Sequence, residues 1–416
     1  MEKSLLEYII FLAELLIFII GAYYLAISFF SFGVKKSKAL SFKNHKFAVL
    51  IAAHNEEKVI SGIIESLKKQ NYPKDFYDIF VIADNCTDKT AEISKSLGAK
   101  VIERENNVKK GKGFALEYAF EYIFSLGTGY EYAAVFDADN IVDRDFLYYI
   151  NQKINSGARA VQGYLDSKNP YDSWLTLSYS LWYWLNNRLS QLSRENLGMG
   201  ARLGGTGLAI DLELIKQFGW GATCLAEDTE FTLKLALSDI KVAWEHNAVV
   251  YDEKPIGMET SWHQRSRWVQ GIYDTFSKYI KPLMKKSFDE QNMMPFHMIM
   301  NLLGDSLYPF CFCTMFVIWA LTTAVRMGAS GAAVLCSFWL SPVNSALLKC
   351  YLLSNICVII YALYEDKKLT GKVIKNCFGF LVYLISWIPI GIAGMLKKND
   401  GEWFHTPHSS DKNDIG

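Results

Sequence analysis

The chain has 416 residues, and its 43 basic (Lys and Arg) and 43 acidic side chains give a formal net charge of zero at pH 7. This balance argues against a nucleic-acid-binding protein, because such domains normally carry a clear basic excess. The eight cysteines show neither a zinc-binding pattern nor the spacing of a disulfide framework, so we expect reduced packing residues in a cytoplasmic domain.

Long apolar runs predict an integral membrane protein. Residues 8–32 contain Glu14 as their only formal charge and are long enough to cross a bilayer. Lysines follow this run at once, which favours an uncleaved anchor whose carboxyl end lies in the cytoplasm. Further candidate spans are residues 298–325, 344–364 and 376–396. We therefore expect a protein of the cell membrane with a cytoplasmic soluble domain between residues 40 and 290.

Within that soluble region, predicted strands alternate with predicted helices. The expected strands are short apolar segments, namely Phe47–Ala53, Tyr77–Ala83, Lys100–Ile102, Ala133–Phe136 and Arg159–Tyr164. The expected helices run from about His54 to Gln70, from Thr90 to Leu97, and onward from Gly113. This alternation predicts an α/β fold with a doubly wound, mostly parallel, Rossmann-like sheet.

Asp137 and Asp139 directly follow the strand that ends at Phe136. Alternate residues of an extended chain face the same side, so the two carboxylates can converge on one site. Clustered like charges are costly without compensation, which a divalent cation carrying phosphate oxygens would provide. A ligand is also expected at this end of such a sheet. A solvated Asp-x-Asp turn is the alternative interpretation of the tripeptide taken alone.

Two further strand ends carry polar residues able to contact a nucleotide, Asn55 and Asp84. Asp84 could accept hydrogen bonds from a base or a ribose, or it could cap a helix. Lys112 lies between two glycines, which would let a phosphate or a base approach the backbone. A solvated lysine in a turn explains Lys112 equally well.

Later segments supply candidate acceptor-binding and catalytic groups. Residues 171–197 are rich in Trp and Tyr, which suits sugar stacking, a membrane interface or core packing. Gly204–Gly207 permits close approach of a ligand or forms a strained turn. Glu227 and Asp228 begin a predicted helix, where the macrodipole tolerates acids and where a general base would be held rigidly.

The segment from His263 opens an amphipathic helix with flanking lysines, a pattern typical of a helix in the cytoplasmic membrane interface. Gln264, Arg267 and Trp268 project near one another because they are three and four residues apart. Arg267 would therefore meet either a ligand phosphate or a lipid phosphate.

Taken together, these residues resemble the family-two inverting glycosyltransferases, in particular the membrane-embedded processive branch that includes cellulose, hyaluronan and poly-N-acetylglucosamine synthases. The matching motifs are Asp84, Asp137-Ala138-Asp139, Glu227-Asp228 and Gln264-Arg265-Ser266-Arg267-Trp268. Four motifs in the family's order form a strong signal, whereas each alone is weak. The resemblance covers about residues 45–275 and implies a GT-A type sheet flanked by transmembrane and interfacial helices.

The resemblance also implies a role for each matching residue. Asp228 would be the general base, and Asp139 would coordinate Mg²⁺ or Mn²⁺ bridging the diphosphate of the donor. The residues implied for nucleotide-sugar binding are Asn55, Glu56, Asp84, Lys112, Asp137, Gln264 and Arg267. Those implied for acceptor binding are Gly205, Thr206, Glu227 and Trp268.

We therefore expect a processive enzyme that polymerises sugar from a UDP-sugar into a β-linked polysaccharide and passes it across the membrane. UDP-glucose is favoured slightly over UDP-N-acetylglucosamine. One alternative is a single transfer to a lipid acceptor, and another, outside catalysis, is an inactive membrane scaffold or nucleotide-sugar sensor. The expected partners are the donor, a growing glycan or lipid acceptor and membrane lipids, and a homo-oligomer is compatible with the sequence.

The expected organisation has five parts. They are an N-terminal anchor (1–40), a cytoplasmic glycosyltransferase domain (41–258), interfacial helices (259–295), a C-terminal membrane region (296–398) and a polar cytoplasmic tail (399–416). The topology of the membrane region is open, because three crossings would put the tail outside, whereas Lys397 and Lys398 favour the cytoplasm. Residues 402–408 resemble a Trp-x-x-Thr segment found near the nucleotide site of relatives, and the alternative is a disordered polar end.

Overall fold

The computed structural model describes residues 5–34, 41–221, 223–328 and 331–396. Within these ranges, an α/β domain packs against a set of long helices. The helices are α1 (Leu5–Ser28), α2 (Ile60–Lys68), α3 (Thr90–Ser96), α4 (Lys112–Leu126), α5 (Phe146–Asn155), α6 (Trp174–Leu185), α7 (Ser193–Leu197), α8 (Leu212–Phe218), α9 (Glu227–Leu237), α10 (Met258–Asp289), α11 (Met293–Arg326), α12 (Pro342–Glu365), α13 (Gly371–Lys375) and α14 (Cys377–Leu396). A π-helix, Asn186–Leu192, joins α6 to α7.

The described strands form one mixed sheet. They are β1 (Phe47–Ala53), β2 (Tyr77–Asp84), β3 (Lys100–Arg104), β4 (Tyr132–Asp137), β5 (Ile141–Val142), β6 (Ala160–Ser167), β7 (Leu208–Asp211) and β8 (Val242–Asp252). Their order across the sheet is β3-β2-β1-β4-β7-β6-β8-β5. Strands β3, β2, β1 and β4 are mutually parallel, and β6 is parallel to β8, whereas β7 and β5 run antiparallel to their neighbours. The predicted doubly wound, mostly parallel sheet is therefore confirmed.

Apolar side chains of the sheet face two separate cores, because successive residues of a strand point to opposite faces. In β1, Ala48 and Leu50 pack in a core with α4 and α9, while Phe47, Val49 and Ile51 pack in a core with α2 and α5. Both faces of the strand are therefore covered, which explains its unbroken apolar sequence. The polar residues that follow the strand emerge at the edge of this rigid layer.

The helix predicted from His54 was wrong at its start, since α2 begins at Ile60. Asn55 has φ +57°, a left-handed conformation that an α-helix does not contain. Its side-chain oxygen accepts a hydrogen bond from the backbone N–H of Thr87 at 2.8 Å, and the N–H of Glu56 donates to Thr90 Oγ1 at 2.8 Å. These bonds tie the turn after β1 to the turn after β2 and delay the helix.

Four helices within the described ranges are long and apolar enough to cross a membrane. Their apolar segments are Leu5–Ser31, Leu307–Arg326, Pro342–Glu365 and Cys377–Gly394. These segments lie close to the spans predicted from the sequence. The lysines after the first span, Lys397, Lys398 and residues 402–408 lie outside the described residues, so the predictions that depend on them stay predictions.

Candidate active site

A cavity of 520 Å³ opens at the carboxyl ends of β1, β4 and β8. This is the edge of the sheet at which α/β folds bind ligands, and the volume suits a small-molecule site. All of the predicted site residues except Asn55 and Asp84 line it, namely Glu56, Lys112, Asp137, Asp139, Gly205, Thr206, Glu227, Asp228, Gln264, Arg267 and Trp268. Residues from distant parts of the chain thus meet around one space.

The turn that carries Asp137 and Asp139 is held in place by buried polar side chains. The Asn140 side chain donates to Asp139 Oδ1 at 3.0 Å and accepts the N–H of Asp137 at 3.2 Å. The Thr206 hydroxyl donates to Asn140 Oδ1 and accepts the N–H of Asp137 at 3.1 Å. The hydroxyl of Thr206 is therefore used inside the protein to position this turn.

Lys112 is the first residue of α4, preceded by Gly111 at φ +118°. Its ammonium pairs with Asp137 Oδ1 and donates to the carbonyl oxygen of Gly205 at 2.7 Å. Burial acts to lower the pKa of Lys112, but the carboxylates of Asp137, Glu227 and Asp228 together outweigh it, so that the pKa is raised. The cavity thus contains a fixed cation beside its acidic turn.

Glu227 and Asp228 form the first turn of α9. The N–H of Thr229 donates to Asp228 Oδ1 at 2.7 Å, which fixes the carboxylate. Burial raises the pKa of Asp228, and burial together with the Asp228 charge raises the pKa of Glu227 to about 7. A rigid carboxylate with a raised pKa can accept a proton near neutral pH, as a general base must.

The glycine loop lies between the acidic groups and the sheet. Gly205 has φ +79°, and a Cβ atom there would lie 3.5 Å from Asp228 Oδ2 and 3.8 Å from Lys112 Nζ. Gln162 fixes the loop, because its side chain accepts the N–H of Gly204 at 2.7 Å and donates to the carbonyl of Thr206 at 2.9 Å. A polar residue inside a buried strand was the sequence signal that could have identified Gln162.

Asn55 and Asp84 lie at the same sheet edge but outside the cavity lining. Asp84 is 1% exposed and forms an ion pair of 2.5 Å with Arg104 at the end of β3. Its backbone carbonyl contacts His54 Nδ1 at 2.7 Å. Burial raises the pKa of Asp84 although Arg104 opposes this effect. Arg104, which sequence analysis did not identify, is the charge that Asp84 contacts in this structure.

Aromatic rings from three helices form the opposite wall. Trp268 of α10 stacks on Trp387 of α14 with ring centroids 6.5 Å apart, and Trp182 of α6 lies 6.3 Å from Trp387. On the other face of α10, buried Arg265 donates to Ser386 Oγ at 2.8 Å and lies over the ring of Tyr383. Sequence analysis did not connect Trp387 with this site, because no local pattern links α14 to α10.

The cavity contains oxygen donors that suit a divalent cation. The Asp137 side chain is 40% exposed, and Asp139 lies beside it. Among the described residues, no group of three or more His, Cys, Asp or Glu side chains is placed to hold a metal by itself. Mg²⁺ commonly takes one or two protein carboxylates and completes its shell with substrate phosphates and water. Asp137 and Asp139 fit a cation of that kind.

Comparison with known proteins gave a consistent set of matches. The family described as "Glycosyltransferase like family 2" matches residues 45–271. The probable glycosyltransferase YdaM of Bacillus subtilis is 29% identical over 249 residues, covering 58% of each chain. The beta-monoglucosyldiacylglycerol synthase of Nostoc sp. is 28% identical over 280 residues, 63% of this chain and 57% of the relative. The chain thus spans less than two thirds of the length of these two relatives.

Two further matches cover most of the chain. The poly-beta-1,6-N-acetyl-D-glucosamine synthase of Staphylococcus epidermidis is 24% identical over 377 residues, 88% of this chain and 87% of the relative. A solved mannosyltransferase from Pyrobaculum calidifontis, in complex with GDP-Man and Mn²⁺, aligns with a TM-score of 0.56 and 20% identity. It covers 87% of this chain and 99% of that chain. This likeness shows that the fold is of the GT-A type.

Proposed function

Because this chain belongs to the glycosyltransferase 2-like family, we propose that it transfers a sugar, with inversion, from a nucleotide-sugar to an acceptor at a membrane. The observation that carries the proposal is the meeting of Asp137, Asp139, Asp228 and Arg267 around one cavity. Together with the aromatic ring of Trp268, these acidic and basic groups suit a diphosphate, a sugar and a hydroxyl nucleophile.

The proposed chemistry assigns a role to each side of the cavity. Asp228 takes the proton of the acceptor hydroxyl as that oxygen attacks the anomeric carbon on the face opposite the departing diphosphate. Lys112 and Arg267 supply positive charge toward the diphosphate, and Gln264 lies one helical turn from Arg267. When bound by Asp137 and Asp139, Mg²⁺ or Mn²⁺ would offset negative charge that grows on the leaving group.

The proposed donor is a UDP-sugar. UDP-glucose and UDP-N-acetylglucosamine are the leading candidates, and the names of two relatives refer to these same sugars, as glucosyl and N-acetylglucosamine units. Pocket shape decides between sugars that differ by one substituent. Asn55, Glu56 and Asp84 are proposed for the nucleotide end, on the side of β1 and β2.

The leading proposal for the product is a β-linked polysaccharide that passes into or across the bilayer. Its support is the match to the S. epidermidis synthase over 87% of that protein's length. The aromatic wall adds to this, because Trp268, Trp387 and Trp182 offer flat faces on which sugar rings can stack. Gly205, Thr206 and Glu227 are proposed for the reacting end of the acceptor.

A second candidate is a single transfer to a lipid acceptor. The specific observation is that Trp387, in the cavity wall, belongs to a helix apolar enough to span a membrane. A lipid headgroup could therefore reach the cavity from the bilayer. The Nostoc relative, named as a glucosyldiacylglycerol synthase, favours the same possibility.

The direct test uses the full chain purified in detergent with radiolabelled UDP-glucose or UDP-N-acetylglucosamine and Mg²⁺ or Mn²⁺. Formation of a labelled glycoside supports the proposal, and its size separates a polymer from a one-sugar glycolipid. Absence of any glycoside across a panel of nucleotide sugars would refute transferase activity. If the protein were a scaffold or sensor, Asp228→Asn would keep its cellular function.

We further propose a cell-membrane location with the catalytic domain in the cytoplasm and with lipids and copies of the chain as partners. The five-part division at residues 40, 258, 295 and 398 is also a proposal. Its support is the sequence of one apolar helix, an α/β domain and three more apolar helices. Protease protection of tagged loops in sealed vesicles would test the orientation.

A further inference from the structure

A charged pair in the cavity wall has no role in the chemistry proposed above. Asp252 ends β8, and Lys254 follows two residues later; both line the cavity. Lys254 Nζ lies 2.5 Å from Asp252 Oδ1. The Asp252 side chain is 18% exposed, whereas that of Lys254 is only 2% exposed. The carboxylate is therefore the member of the pair that a ligand in the cavity can touch.

The backbone around this pair is fixed by hydrogen bonds from the two residues that follow β6. The N–H of Lys168 donates to the carbonyl of Asp252 at 2.8 Å. Asn169 accepts the N–H of Lys254 at 2.8 Å and donates to its carbonyl at 2.9 Å. Two hydrogen bonds to one side chain leave Lys254 little freedom, so the pair is built into the wall.

The pair is energetically expensive for a purely structural element. Burial lowers the pKa of Lys254 and raises that of Asp252, so burial disfavours the charged form of both groups. Apolar residues of similar size often stabilise a fold as well as a buried ion pair does. Lys254 Nζ also lies 3.2 Å from the centroid of the Tyr183 ring, so the lysine is held between this ring and Asp252. A buried pair beside an open cavity therefore invites a functional explanation.

The surroundings restrict what the carboxylate can bind. Asp137 and Asp166 both act electrostatically on Asp252, and Asp139 acts on Lys254. With so many acids nearby, an anionic group is a poor ligand for Asp252. A neutral ligand with hydroxyl donors is a good one, since an ionised carboxylate can accept several hydrogen bonds. In the donor proposed above, the transferred sugar is attached directly to the diphosphate that Asp137 and Asp139 would hold through the cation. A carboxylate close enough to interact with Asp137 is therefore within reach of that sugar.

We propose that Asp252 accepts hydrogen bonds from hydroxyl groups of the sugar that is transferred, and that Lys254 is a positioning residue that holds this carboxylate. The inference rests on the proposed function, because it assumes a nucleotide-sugar in the cavity. It adds a residue that contacts the sugar of the donor and not its nucleotide. Because UDP lacks the transferred sugar, comparing the binding of UDP with that of a UDP-sugar isolates the contribution of contacts to the sugar.

The experiment measures the dissociation constants of UDP, UDP-glucose and UDP-N-acetylglucosamine for the full chain in detergent with Mg²⁺. The variants are Asp252→Asn, Lys254→Met and Lys254→Arg. Matched controls are Lys153→Met and Glu195→Gln, which break a Lys–Glu pair of 2.6 Å that does not line the cavity. Titration calorimetry measures binding without requiring turnover.

We expect Asp252→Asn and Lys254→Met to weaken binding of the nucleotide sugar by roughly tenfold or more, since hydrogen bonds to charged groups are strong. The UDP affinity of each variant should stay within about twofold of wild type. Lys254→Arg keeps the positive charge, so it should weaken binding of the nucleotide sugar less than Lys254→Met does. The control variants should keep both affinities.

Equal weakening of UDP and UDP-sugar would overturn the inference, because Asp252 would then serve the nucleotide, the cation or the fold. Unchanged donor binding would overturn it too, because Asp252 would then make no contact with the sugar of the donor. A wild-type protein that binds UDP but no nucleotide sugar would instead contradict the proposed function itself.

Discussion

Asn140 illustrates how single residues hold the reactive carboxylates in place. It is fully buried, and its side chain contacts Asp137, Asp139 and Thr206 at once. Sequence analysis identified the two acids from their spacing, and the family resemblance implied that Thr206 binds the acceptor, which stays a prediction. In the structure, the Thr206 hydroxyl is used to hold the turn. A side chain's partners across the sheet are not encoded in its local sequence, which is why this supporting role was not predicted.

Replacing Asn140 with Ala should therefore damage the site without touching a ligand directly. We expect a loss of about 1–3 kcal/mol in the free energy of unfolding, because buried partners lose their hydrogen bonds. The concentration of Mn²⁺ that gives half-maximal transfer should rise. Denaturation and metal titrations would measure both effects, with exposed Asn247→Ala as the control. Wild-type values in both measurements would show that Asn140 does not support the acidic turn.

Glu227 gives the site a predictable response to pH. Its ordinary pKa of 4.5 is raised to about 7 in the folded protein by burial and by Asp228. Protonation of Glu227 thus favours folding, and this contribution is fully present below about 4.5 and is lost as pH rises through about 7. Between pH 5.5 and 8.5, the melting temperature of wild type should therefore fall more than that of Glu227→Gln. Parallel curves for the two proteins would contradict the raised pKa.

At the scale of elements, the glycine loop and α10 bring the distant motifs together. The loop holds Gly205 between Lys112 and Asp228, and α10 places Arg267 and Trp268 toward the cavity while Arg265 faces α14. The sequence was sufficient for β1, whose predicted and observed bounds agree, because a buried apolar run needs no tertiary information. Sequence analysis did not predict the π-helix at Asn186–Leu192, a rare form whose hydrogen bonds join residues five positions apart.

Gly205→Ala tests the loop. The alanine would adopt φ +79° at a cost on the order of 1 kcal/mol or more, and its Cβ would lie 3.5 Å from Asp228 Oδ2. Gly127→Ala is a matched control, because Gly127 has φ +60° and no atom within 4 Å of the added Cβ. Both variants should lose similar stability, but only Gly205→Ala should lose most of its transfer rate. Equal transfer rates in the two variants would show that the loop is not part of the active site.

Across the whole molecule, a buried ion pair connects the α/β domain to the long apolar helices. Arg188, in the π-helix, pairs with Asp366 at the end of α12 at 2.6 Å and donates to the carbonyl of Ser31 at 2.9 Å. His246 of β8 contacts Asp366 at 3.2 Å. One cluster thus joins the segment after α1, the end of α12 and the sheet behind the cavity. Its members are far apart in sequence, and sequence analysis did not identify them.

Asp366→Asn should leave the Arg188 charge buried without its carboxylate. We expect a destabilisation of about 3–5 kcal/mol, the range found when one partner of a buried pair is removed. Glu213→Gln, which breaks an exposed pair with Lys216, should change stability by less than about 1 kcal/mol. Thermal unfolding in detergent would measure both. A small effect of Asp366→Asn would mean that the α/β domain and the long apolar helices are joined by other contacts.

We propose that one carboxylate of the cavity, Asp228, takes the proton of an acceptor hydroxyl during sugar transfer. The most direct test of this role is the rate of glycoside formation from radiolabelled UDP-sugar by wild type, Asp228→Asn and the surface control Glu213→Gln, together with the affinity of each for UDP. We expect Asp228→Asn to lower the rate by about 10²–10⁴-fold while UDP affinity stays within about twofold. Transfer by Asp228→Asn at the wild-type rate would contradict it.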